Sequence, residues 1–500
     1  MNTEATASTQ AAGGIAGLDR GILKLGAVVV VGSSMAILDA TIVNVAIPTL
    51  GHELHTSISA IQWVMTGYLL AFASVIPLTG WLTGRFGARR VWITALLAFM
   101  AGSVLAGSAW SIGSLIAFRV LQGLGGGLLM PVGQAILARA AGRERMGRVM
   151  SVVGVPMFLA PVFGPVIGGA IIDSASWRWI FFLNLPVGLL AVALALRFLP
   201  PGEAGRGGRL DAIGLALLSP GLALFIWGLS QAGGTDGIGN PRTIGGITAG
   251  VILIAAFVWH AGRLGAAALI DVGLFRIRGF AAAAATNLLL GIALFGALIL
   301  LPLYLQLVRG QTPLETGLLL MPQGAGAAIA LPVAGWLSDK LGPRLVVSAG
   351  ALIALAGTSV YTQIAAGTSF AVLCAALFVI GLGLGSTIAP SMAAAYRSVP
   401  QQAVGHATST INVIQRVAGS LGTALLAIVL QLRIAHNVPN LHGGLATLAR
   451  LPDAERAAAA PGLADAFATS FGVAFVLVAA GLVAALFLPG RPAATDDQAR

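Results

Sequence analysis

A single acidic residue lies in the middle of an apolar segment of this sequence. Asp39 falls within the run M-A-I-L-D-A-T-I-V-N-V-A-I-P at 35–48, and the apolar segment is long enough to cross a bilayer as a helix. An ionised Asp at the centre of such a helix costs about 2.5–3.5 kcal/mol on insertion scales. By our placement of the helices, the other sixteen of the seventeen acidic residues fall in loops, tails or helix ends. Asp39 is therefore the candidate to carry a proton inside the membrane.

A basic residue is predicted at a similar depth. One helical stripe, with spacing i, i+3, i+4, i+7 and i+11, contains Arg119, Gln122, Gly123, Gly126 and Met130. Arg119 lies about five residues, or 7 Å, from the outer end of its helix, and Asp39 about nine residues, or 13 Å, from its own. These depths allow the two side chains to approach each other. The alternative is that Arg119 extends to the outer membrane interface.

A second polar stripe near the end of the chain contains Ser409, Asn412, Gln415, Arg416, Gly419 and Thr423. Arg416 lies about eleven residues, or 17 Å, from the inner end of its helix, too deep to reach the interface easily. We interpret it as facing a central cavity; the alternative is a structural hydrogen bond between helices. The residues expected to contact a transported substrate are Met35, Tyr68, Gln122, Met130, Asn287, Gln323, Asn412, Gln415 and Arg416.

Long apolar helices must position these side chains. The chain is 57% hydrophobic and 9% charged, with a mean hydropathy of +0.93, whereas soluble domains are about 25% charged. Unbroken apolar runs of about 20 residues predict an all-α polytopic membrane protein. Breaks at charges, Gly and Pro give fourteen predicted spans: 25–47, 60–82, 91–110, 115–137, 149–172, 180–199, 211–230, 244–262, 280–303, 315–337, 345–365, 370–394, 406–431 and 467–489.

The basic residues predict the orientation of these spans. Of the 28 Lys and Arg, twenty fall on the side of both termini, six on the other side, and two within spans. The positive-inside rule then places both termini in the cytoplasm of a bacterium, with the chain in its plasma (inner) membrane. The basic loops also explain the net charge of +11 without nucleic acid as a partner.

Other chemistries lack their motifs. The lone Cys374 excludes an internal disulfide or a CxxC metal site, so we expect no metal. No GxxxxGK[ST] motif is present, so ATP-driven transport is not indicated. We expect no cofactor, with a proton gradient as the energy source.

The sequence contains an internal repeat. G-W-L-T-G-R-F-G-A-R at 80–89 matches G-W-L-S-D-K-L-G-P-R at 335–344 at an offset of 255, and G-L-G-G-G at 123–127 matches G-L-G-L-G at 381–385 at an offset of 258. We therefore predict two parallel six-helix halves. The predicted divisions are a cytoplasmic tail 1–24, a first half 25–200, two inserted helices with linkers 201–279, a second half 280–489 and a cytoplasmic tail 490–500.

The fifth span is rich in proline and glycine. It reads G-V-P-M-F-L-A-P-V-F-G-P-V-I-G-G at 154–169, and five of its residues share one face: Pro161, Gly164, Pro165, Gly168 and Gly169. This composition predicts a kinked helix that packs backbone to backbone against a neighbour.

Together these segments resemble the fourteen-helix drug:proton antiporter family of the major facilitator superfamily. The resemblance rests on L-D-A-T-I-V-N-V-A-I-P at 38–48, Gln62-Trp63 with Tyr68, the loop 80–90, Arg119 with Gln122-Gly123, the fifth span, and W-R-W-I-F-F-L-N-L-P at 177–186. It covers about residues 25–490 and implies a major facilitator fold, with two six-helix bundles plus two extra helices.

The resemblance also implies roles for individual residues. Asp39 and Arg119 are implied in proton coupling. An antiporter motif is implied at Gly154, Pro161, Gly164, Pro165, Gly168 and Gly169. The two Gly-rich loops are implied to control switching between inward and outward states, through Gly80, Gly84, Arg85, Gly87, Arg90, Gly335, Asp339, Gly342 and Arg344.

Two features depart from the family pattern. Gly84 stands where the first loop normally has Asp, and only the second loop keeps that acid, as Asp339. Some relatives that export dications carry an extra acid in the tenth span, whereas spans nine to fourteen have no carboxylate in mid-span here. This weakens the case for dicationic substrates.

The predicted function is a proton-coupled antiporter, not an enzyme, that exports hydrophobic or cationic drugs by alternating access. Its expected partners are lipophilic or cationic small molecules, protons and the bilayer, and we expect a monomer. The alternative is a facilitator or importer of a specific polar or anionic metabolite, with Arg416 binding its anionic group. A third hypothesis is a membrane receptor or scaffold; against it, we expect no sensing domain longer than the predicted loop 432–466 of about 35 residues.

Overall fold

The computed structural model describes residues 19–54, 56, 58–142, 145–201, 208–232, 239–438 and 453–490. Within these ranges the fold is built from α-helices joined by short turns. In chain order the helices are α1 Arg20–Glu53, α2 Ile58–Val75, α3 Thr79–Phe86, α4 Ala88–Gly107, α5 Ile112–Ala141, α6 Met146–Ser174, α7 Trp179–Phe182, α8 Asn184–Phe198, α9 Ala212–Ala232, α10 Pro241–Leu264, α11 Arg278–Leu303, α12 Pro313–Leu341, α13 Pro343–Tyr361, α14 Phe370–Arg397, α15 Val404–Asn437 and α16 Asp453–Ala485.

Thirteen helical stretches among the described residues are long and apolar enough to cross a membrane. They correspond to every predicted span except the fifth. That span lies within α6, whose 29 residues exceed the length that a bilayer requires. Short 3₁₀ helices occur at Ile76–Leu78, Gly265–Ala267, Val272–Arg276 and Gln401–Ala403, and a π-helix occurs at Tyr304–Val308.

The loop expected between the last two spans, 432–466, is shorter than predicted. Helix α15 continues to Asn437, and α16 already begins at Asp453. The first residues of α16 read D-A-E-R-A-A-A-A, and Ala, Glu and Arg all have high helix propensity in water. Hydropathy locates the apolar part of a helix and misses such a polar extension.

The two repeated loops turn at glycines with the same backbone conformation. Gly87, between α3 and α4, has φ of 83°, and Gly342, between α12 and α13, has φ of 89°. Glycine adopts positive φ without strain, whereas a side chain there would clash with the backbone. The glycines at the same place in both copies therefore give both loops the same turn.

Helix pairings in the first half recur in the second. In the first half, α1–α8, helix α1 packs on α6, α5 packs on α2 and α4, and α8 packs on α1 and α4. In the second half, α11–α16, the counterparts are α11 on α15, α14 on α12 and α13, and α16 on α11 and α13. The inserted helices α9 and α10 pack on each other, and α9 also contacts α2 and α15.

Within the described residues, the two halves share an apolar cluster at one end of the bundle. We call this end, which carries residues 84–90 and 339–344, the loop face, and the opposite end the far face. At the loop face one apolar cluster joins both halves, including Val149, Met150, Leu331, Tyr396 and Ile411. At the far face, the described buried residues form two separate clusters, each from one half. Apolar packing therefore joins the halves at the loop face.

Candidate functional site

A buried acidic site lies in the first half, at Asp39 of α1. The Asp39 side chain is 0% exposed, and its Oδ2 accepts a hydrogen bond from Arg119 Nη1 of α5 at 2.5 Å. Its Oδ1 accepts hydrogen bonds from Gln122 Nε2 at 2.9 Å and from Asn184 Nδ2 of α8 at 2.8 Å. The structure thus brings together the acid and the arginine that the sequence placed at similar depth. Three donors around one carboxylate offset much of the cost of burying its charge.

Arg119 is fully buried as well, and its other donors also have partners. Nη1 donates to Gln122 Oε1 at 2.7 Å, and Nε donates to the Val64 carbonyl at 3.3 Å. The centroid of the Tyr68 ring lies 4.1 Å from the guanidinium carbon, a cation–π contact. Tyr68 is held in turn by its hydroxyl, which donates to the Ala36 carbonyl at 3.1 Å. The ion pair therefore belongs to a network whose members depend on one another.

Two glycines allow the helices of this network to approach closely. A Cβ added to Gly102 of α4 would lie 2.6 Å from the backbone nitrogen of Gln122, and one added to Gly123 would lie 2.4 Å from the Tyr68 carbonyl oxygen. Real side chains do not reach such separations, so α4 and α2 contact α5 through backbone. The residues on α5 are consequently fixed relative to Tyr68 on α2.

Part of the predicted antiporter motif packs directly beside the acidic site. A Cβ added to Gly164 would lie 2.0 Å from Thr41 Oγ1, and one added to Gly168 would lie 3.2 Å from Ile42. Thr41 is two residues after Asp39, and its hydroxyl donates to the Leu38 carbonyl at 2.8 Å. Helix α6 therefore supports the segment of α1 that carries the acid.

The other residues of that motif lie elsewhere. A Cβ added to Gly154 would lie 2.9 Å from Leu331 of α12, so this glycine faces the second half. No atom of a neighbouring residue comes within 4 Å of a Cβ built at Gly169. The side chains of Pro161 and Pro165 lie outside the described residues.

Asn184 and Ser103 are parts of the site that sequence reasoning missed. Asn184 Nδ2 donates to Ser103 Oγ at 2.9 Å as well as to Asp39, and the Ser103 hydroxyl donates to the Phe181 carbonyl at 2.8 Å. A signal was available, because Asn184 is an amide within the otherwise apolar run I-F-F-L-N-L-P that ends at 186. Ser103 gave no comparable signal, because serine is common in membrane helices.

Aromatic residues connect the acidic site to the second half. The rings of Tyr68 and Phe72, one turn apart on α2, have centroids 5.9 Å apart. The guanidinium carbon of Arg416 on α15 lies 3.9 Å from the centroid of the Phe72 ring. Arg416 is partly exposed, as is its neighbour Gln415, whose Nε2 lies 3.6 Å from Met392 Sδ. These contacts form a path from Asp39 to the space between the halves.

The remaining residues predicted to contact a substrate differ in their burial and in their partners. Met35 is buried in the apolar core of the first half, and the partly buried Met130 packs against the loop-face cluster. Asn287 Nδ2 donates to the Ala283 carbonyl of its own helix at 2.8 Å. Gln323 is buried, and its backbone carbonyl would lie 2.1 Å from a Cβ added to Gly381.

An amide pair joins the two halves inside the bundle. Asn412 Nδ2 of α15 donates to Gln134 Oε1 of α5 at 2.7 Å, and the Tyr396 hydroxyl of α14 donates to the same oxygen at 3.2 Å. Gln134 was not among the predicted site residues, although it lies four residues after Met130 and so continues the polar stripe of α5.

At the loop face, Asp339 links the second loop to the first half. Its Oδ1 accepts a hydrogen bond from the backbone N–H of Gly147 at 2.8 Å, and its Oδ2 accepts one from Arg148 Nε at 3.0 Å. Arg397, at the end of α14, forms an ion pair with the same carboxylate. Gly335 packs in the same seam, where an added Cβ would lie 2.1 Å from Ser151 Oγ.

The first loop makes the corresponding seam without a carboxylate. The backbone N–H of Gly80 donates to Ser409 Oγ of α15 at 3.2 Å, and Gly84 is half-buried beside this seam. Arg85, Arg90 and, in the second loop, Arg344 have exposed side chains. Within the described part of the chain, no three His, Cys, Asp or Glu side chains gather to hold a metal ion.

The described helices form a membrane-spanning bundle with the same pairings in both halves and a fully buried acid, which is the architecture of a membrane transporter built from two matching halves. The chain matches the Major Facilitator Superfamily profile over residues 29–423, and it belongs to that superfamily. Its fold and its transporter class, rather than an enzyme class, are thereby settled.

Relatives of this chain include drug exporters. The chain is 39% identical over 494 residues to a multidrug resistance protein B homolog of Mycobacterium tuberculosis, covering 95% of this chain and 92% of the relative. It is 33% identical to the multidrug export protein EmrB of Haemophilus influenzae, covering 78% and 77%. It is 30% identical to the tetracenomycin C resistance and export protein of Streptomyces glaucescens, covering 82% and 76%. The resemblance to fourteen-helix drug:proton antiporters is confirmed.

Solved structures of low identity share the fold. A double-tryptophan mutant of XylE superposes with a TM-score of 0.62 at 16% identity, covering 94% of this chain and 96% of that one. The human organic anion transporter MFSD10 superposes with a TM-score of 0.59 at 15% identity, covering 91% and 99%. These likenesses concern the fold alone.

Proposed function

We propose that this protein is a proton-coupled antiporter of the bacterial plasma membrane, which exports hydrophobic or cationic small molecules by alternating access. The loop face and both termini are then cytoplasmic. The observation that carries the proposal is the fully buried Asp39 with its partners Arg119, Gln122 and Asn184. The family membership and the named drug exporters among the relatives support export of small molecules.

The network suggests how a proton is coupled to movement. Protonation of Asp39 removes the negative charge that Arg119 faces at 2.5 Å. The guanidinium is then left with the Gln122 amide, the Val64 carbonyl and the Tyr68 ring, none of which is charged. A buried charge that loses its counter-ion is strongly destabilised, so the helices around it rearrange.

That rearrangement has a route to the substrate and to the other half. Tyr68 contacts both the guanidinium of Arg119 and the Phe72 ring, and Phe72 contacts Arg416 of the second half. A change in the Asp39–Arg119 pair therefore alters the packing between the halves. Closure at the loop face corresponds, in this proposal, to a state in which the central space faces outward and Asp39 exchanges protons with the outside.

The test is the direction of proton movement. Purified protein is reconstituted into liposomes that contain a pH-sensitive dye, and ethidium is added outside with no imposed pH gradient. An antiporter moves protons out as ethidium enters, so the lumen becomes alkaline, and a protonophore abolishes the signal. Acidification of the lumen would instead indicate symport, and ethidium entry without a pH change would indicate a facilitator.

A second candidate cargo is a neutral or anionic amphiphile. Arg416 lies at membrane depth beside the central space, and no carboxylate among the described residues forms an ion pair with it. A fixed positive charge attracts an anionic group and repels a cation. The same liposome assay with 8-anilinonaphthalene-1-sulfonate in place of ethidium separates the two cargo classes.

A further inference from the structure

The two halves meet on two sides of the bundle, and these sides are built differently. On one side α6 of the first half packs directly on α12 of the second, and a Cβ added to Gly147 would lie 2.5 Å from the Gly335 carbonyl oxygen. On the other side, where the Phe72 ring of α2 meets Arg416 of α15, the inserted helix α9 packs against both α2 and α15. Helix α9 therefore covers the boundary between the halves on this side.

An apolar cluster holds α9 against both halves. It joins residues of α9, α3 and α15, among them Leu218, Leu222, Trp81, Val413 and Val417. The two leucines are four residues apart on α9, and the two valines are four residues apart on α15, so each pair forms a stripe along one face of its helix. The contact of α9 with the second half is therefore made by aliphatic side chains.

Hydrogen bonds attach the inserted helices to the first half. The Ser219 hydroxyl of α9 donates to the Ser74 carbonyl oxygen of α2 at 2.6 Å. At the loop face, Trp81 Nε1 of α3 donates to the carbonyl oxygen of Gly208, which precedes α9, at 3.0 Å. The described contacts of α9 with α15 are instead the apolar ones of the cluster.

These two kinds of contact respond differently to movement. A hydrogen bond requires a particular donor–acceptor distance and angle, and breaking one within a membrane leaves polar groups without water to replace the lost partner. Burial of aliphatic side chains has no preferred direction, so its free energy is retained when one stripe shifts along another and stays covered. Sliding α9 along α15 therefore costs less free energy than separating α9 from α2.

The two inserted helices are also fixed to each other. Asp211, at the start of α9, accepts a hydrogen bond from the Gly214 backbone N–H at 2.8 Å and lies 2.8 Å from His260 Nε2 of α10. Burial favours the neutral form of Asp211, but its hydrogen bonds outweigh burial and hold its pKa below the ordinary value. Asp211 is therefore ionised at neutral pH, and it ties α9 to α10.

The segment between α10 and α11 connects the inserted helices to the second half. Its residues 268–270 are buried in the apolar cluster, and the Leu269 backbone N–H donates to Asp211 Oδ2 at 3.1 Å, so this part belongs with the inserted helices. Residues 271–277 follow, with a short 3₁₀ helix at Val272–Arg276, and His406 of α15 faces Leu269 and Asp271. Hinges are a few residues at the ends of helices or in loops, which describes 271–277.

We propose that α9 and α10 move with the first half during transport and slide along α15, with residues 271–277 as the hinge. This inference rests on the alternating access of the proposed function. During the movement α9 keeps the boundary between α2 and α15 covered in both states. A lipophilic cargo in the central space is thereby separated from the acyl chains on this side of the bundle.

The test measures distances between spin labels by pulsed electron paramagnetic resonance on the full chain in nanodiscs. Labels are placed in pairs on three exposed positions at the loop face, in a Cys374→Ser background: Ile213→Cys on α9, Phe86→Cys on α3 and Leu341→Cys on α12. The last two correspond to each other in the internal repeat at the offset of 255, so their pair is the reference for movement of one half relative to the other. Distances are recorded at acidic and neutral pH, with and without ethidium.

We expect the reference distance 86–341 to change between conditions, the distance 213–341 to change with it, and the distance 213–86 to stay constant. A change in 213–86 with a constant 213–341 would assign the inserted helices to the second half and overturn the proposal. Changes in all three distances would show independent movement and overturn it as well. A reference distance that is constant under every condition would contradict alternating access itself, so failure of the proposed function is recognised separately.

Reversible crosslinks add a functional readout. In the same background, Ser74→Cys/Ser219→Cys joins α9 to α2, and Leu222→Cys/Val417→Cys joins α9 to α15, each through a short bifunctional methanethiosulfonate. We expect the first crosslink to leave ethidium–proton exchange intact and the second to abolish it, with recovery after reduction by dithiothreitol. Recovery shows that the variant is folded. Loss of exchange with the first crosslink, or its persistence with the second, would overturn the proposal.

Discussion

The most informative perturbation is Asp39→Asn, which keeps the shape of the side chain and removes its charge. Arg119 then remains fully buried with no counter-ion among its described partners. Removing one member of a buried ion pair costs about 3–5 kcal/mol. The Asn oxygen still accepts the hydrogen bonds of Gln122 and Asn184, so the lower end, about 3 kcal/mol, is expected here. This is roughly a hundredfold change in the folding equilibrium.

The double variant Asp39→Asn/Arg119→Gln separates structure from coupling. It removes both charges, so no unpaired charge is left in the interior, and neutral replacement of a buried pair is often close to neutral in stability. We expect the melting temperature in detergent to fall in Asp39→Asn and to recover most of that loss in the double variant. Transport of ethidium driven by a pH gradient in proteoliposomes should be absent in both, because neither contains the titrating acid.

Two results would refute this reasoning. One is pH-gradient-driven accumulation at the wild-type rate by Asp39→Asn, which would remove the acid from the coupling mechanism. The other is a double variant that melts as early as the single variant, which would show that the unpaired Arg119 is not the cause of the instability.

Three further predictions concern the supports of the Asp39 site and the Asp339 contacts at the loop face. Asn184→Ala removes a donor to Asp39 and should destabilise the protein by about 1–3 kcal/mol, measured as a lower melting temperature, with slower proton-coupled flux; unchanged values would exclude Asn184 from the network. Gly102→Leu should abolish transport by separating α4 from α5, whereas Gly245→Leu, at an exposed glycine of α10 with no neighbouring atom within 4 Å of an added Cβ, should be tolerated; equal losses would contradict the packing argument. Asp339→Asn weakens the contacts of Asp339 with Gly147 and Arg397. Ser151→Cys, introduced beside these contacts in a Cys374→Ser background, should then react faster with a membrane-impermeant maleimide. Unchanged reactivity would show that other contacts hold the two halves together at the loop face.

The acidic site was the part of the molecule that the sequence predicted best. Asp39 is conspicuous because a charge in an apolar run is costly, and the depth of Arg119 follows from counting residues along two helices. The third helix of the site was not found, because Asn184 is one amide among many apolar residues and only the packing of α8 on α1 brings it to the carboxylate. Its role in coupling stays a prediction.

The contacts between the halves at the loop face were harder to predict from the sequence. The repeat identified both loops and the missing acid at position 84, but nothing in the sequence pairs Asp339 with Gly147 and Arg397, which are about 190 and 58 residues away. Such contacts depend on how the two halves dock. For the same reason Gln134 was overlooked, although its spacing on α5 matched the stripe.

The backbone-to-backbone contacts of α5 restrict where the transporter can change its cargo preference. Gly123 and Gly127 lie directly against carbonyl oxygens of α2, so larger residues at these positions would separate the helices before they reshaped any surface. Met130, Gln415 and Arg416 are only partly buried and carry no such restriction. In directed evolution toward new compounds, we therefore expect substitutions at these three positions and unchanged glycines at 123 and 127.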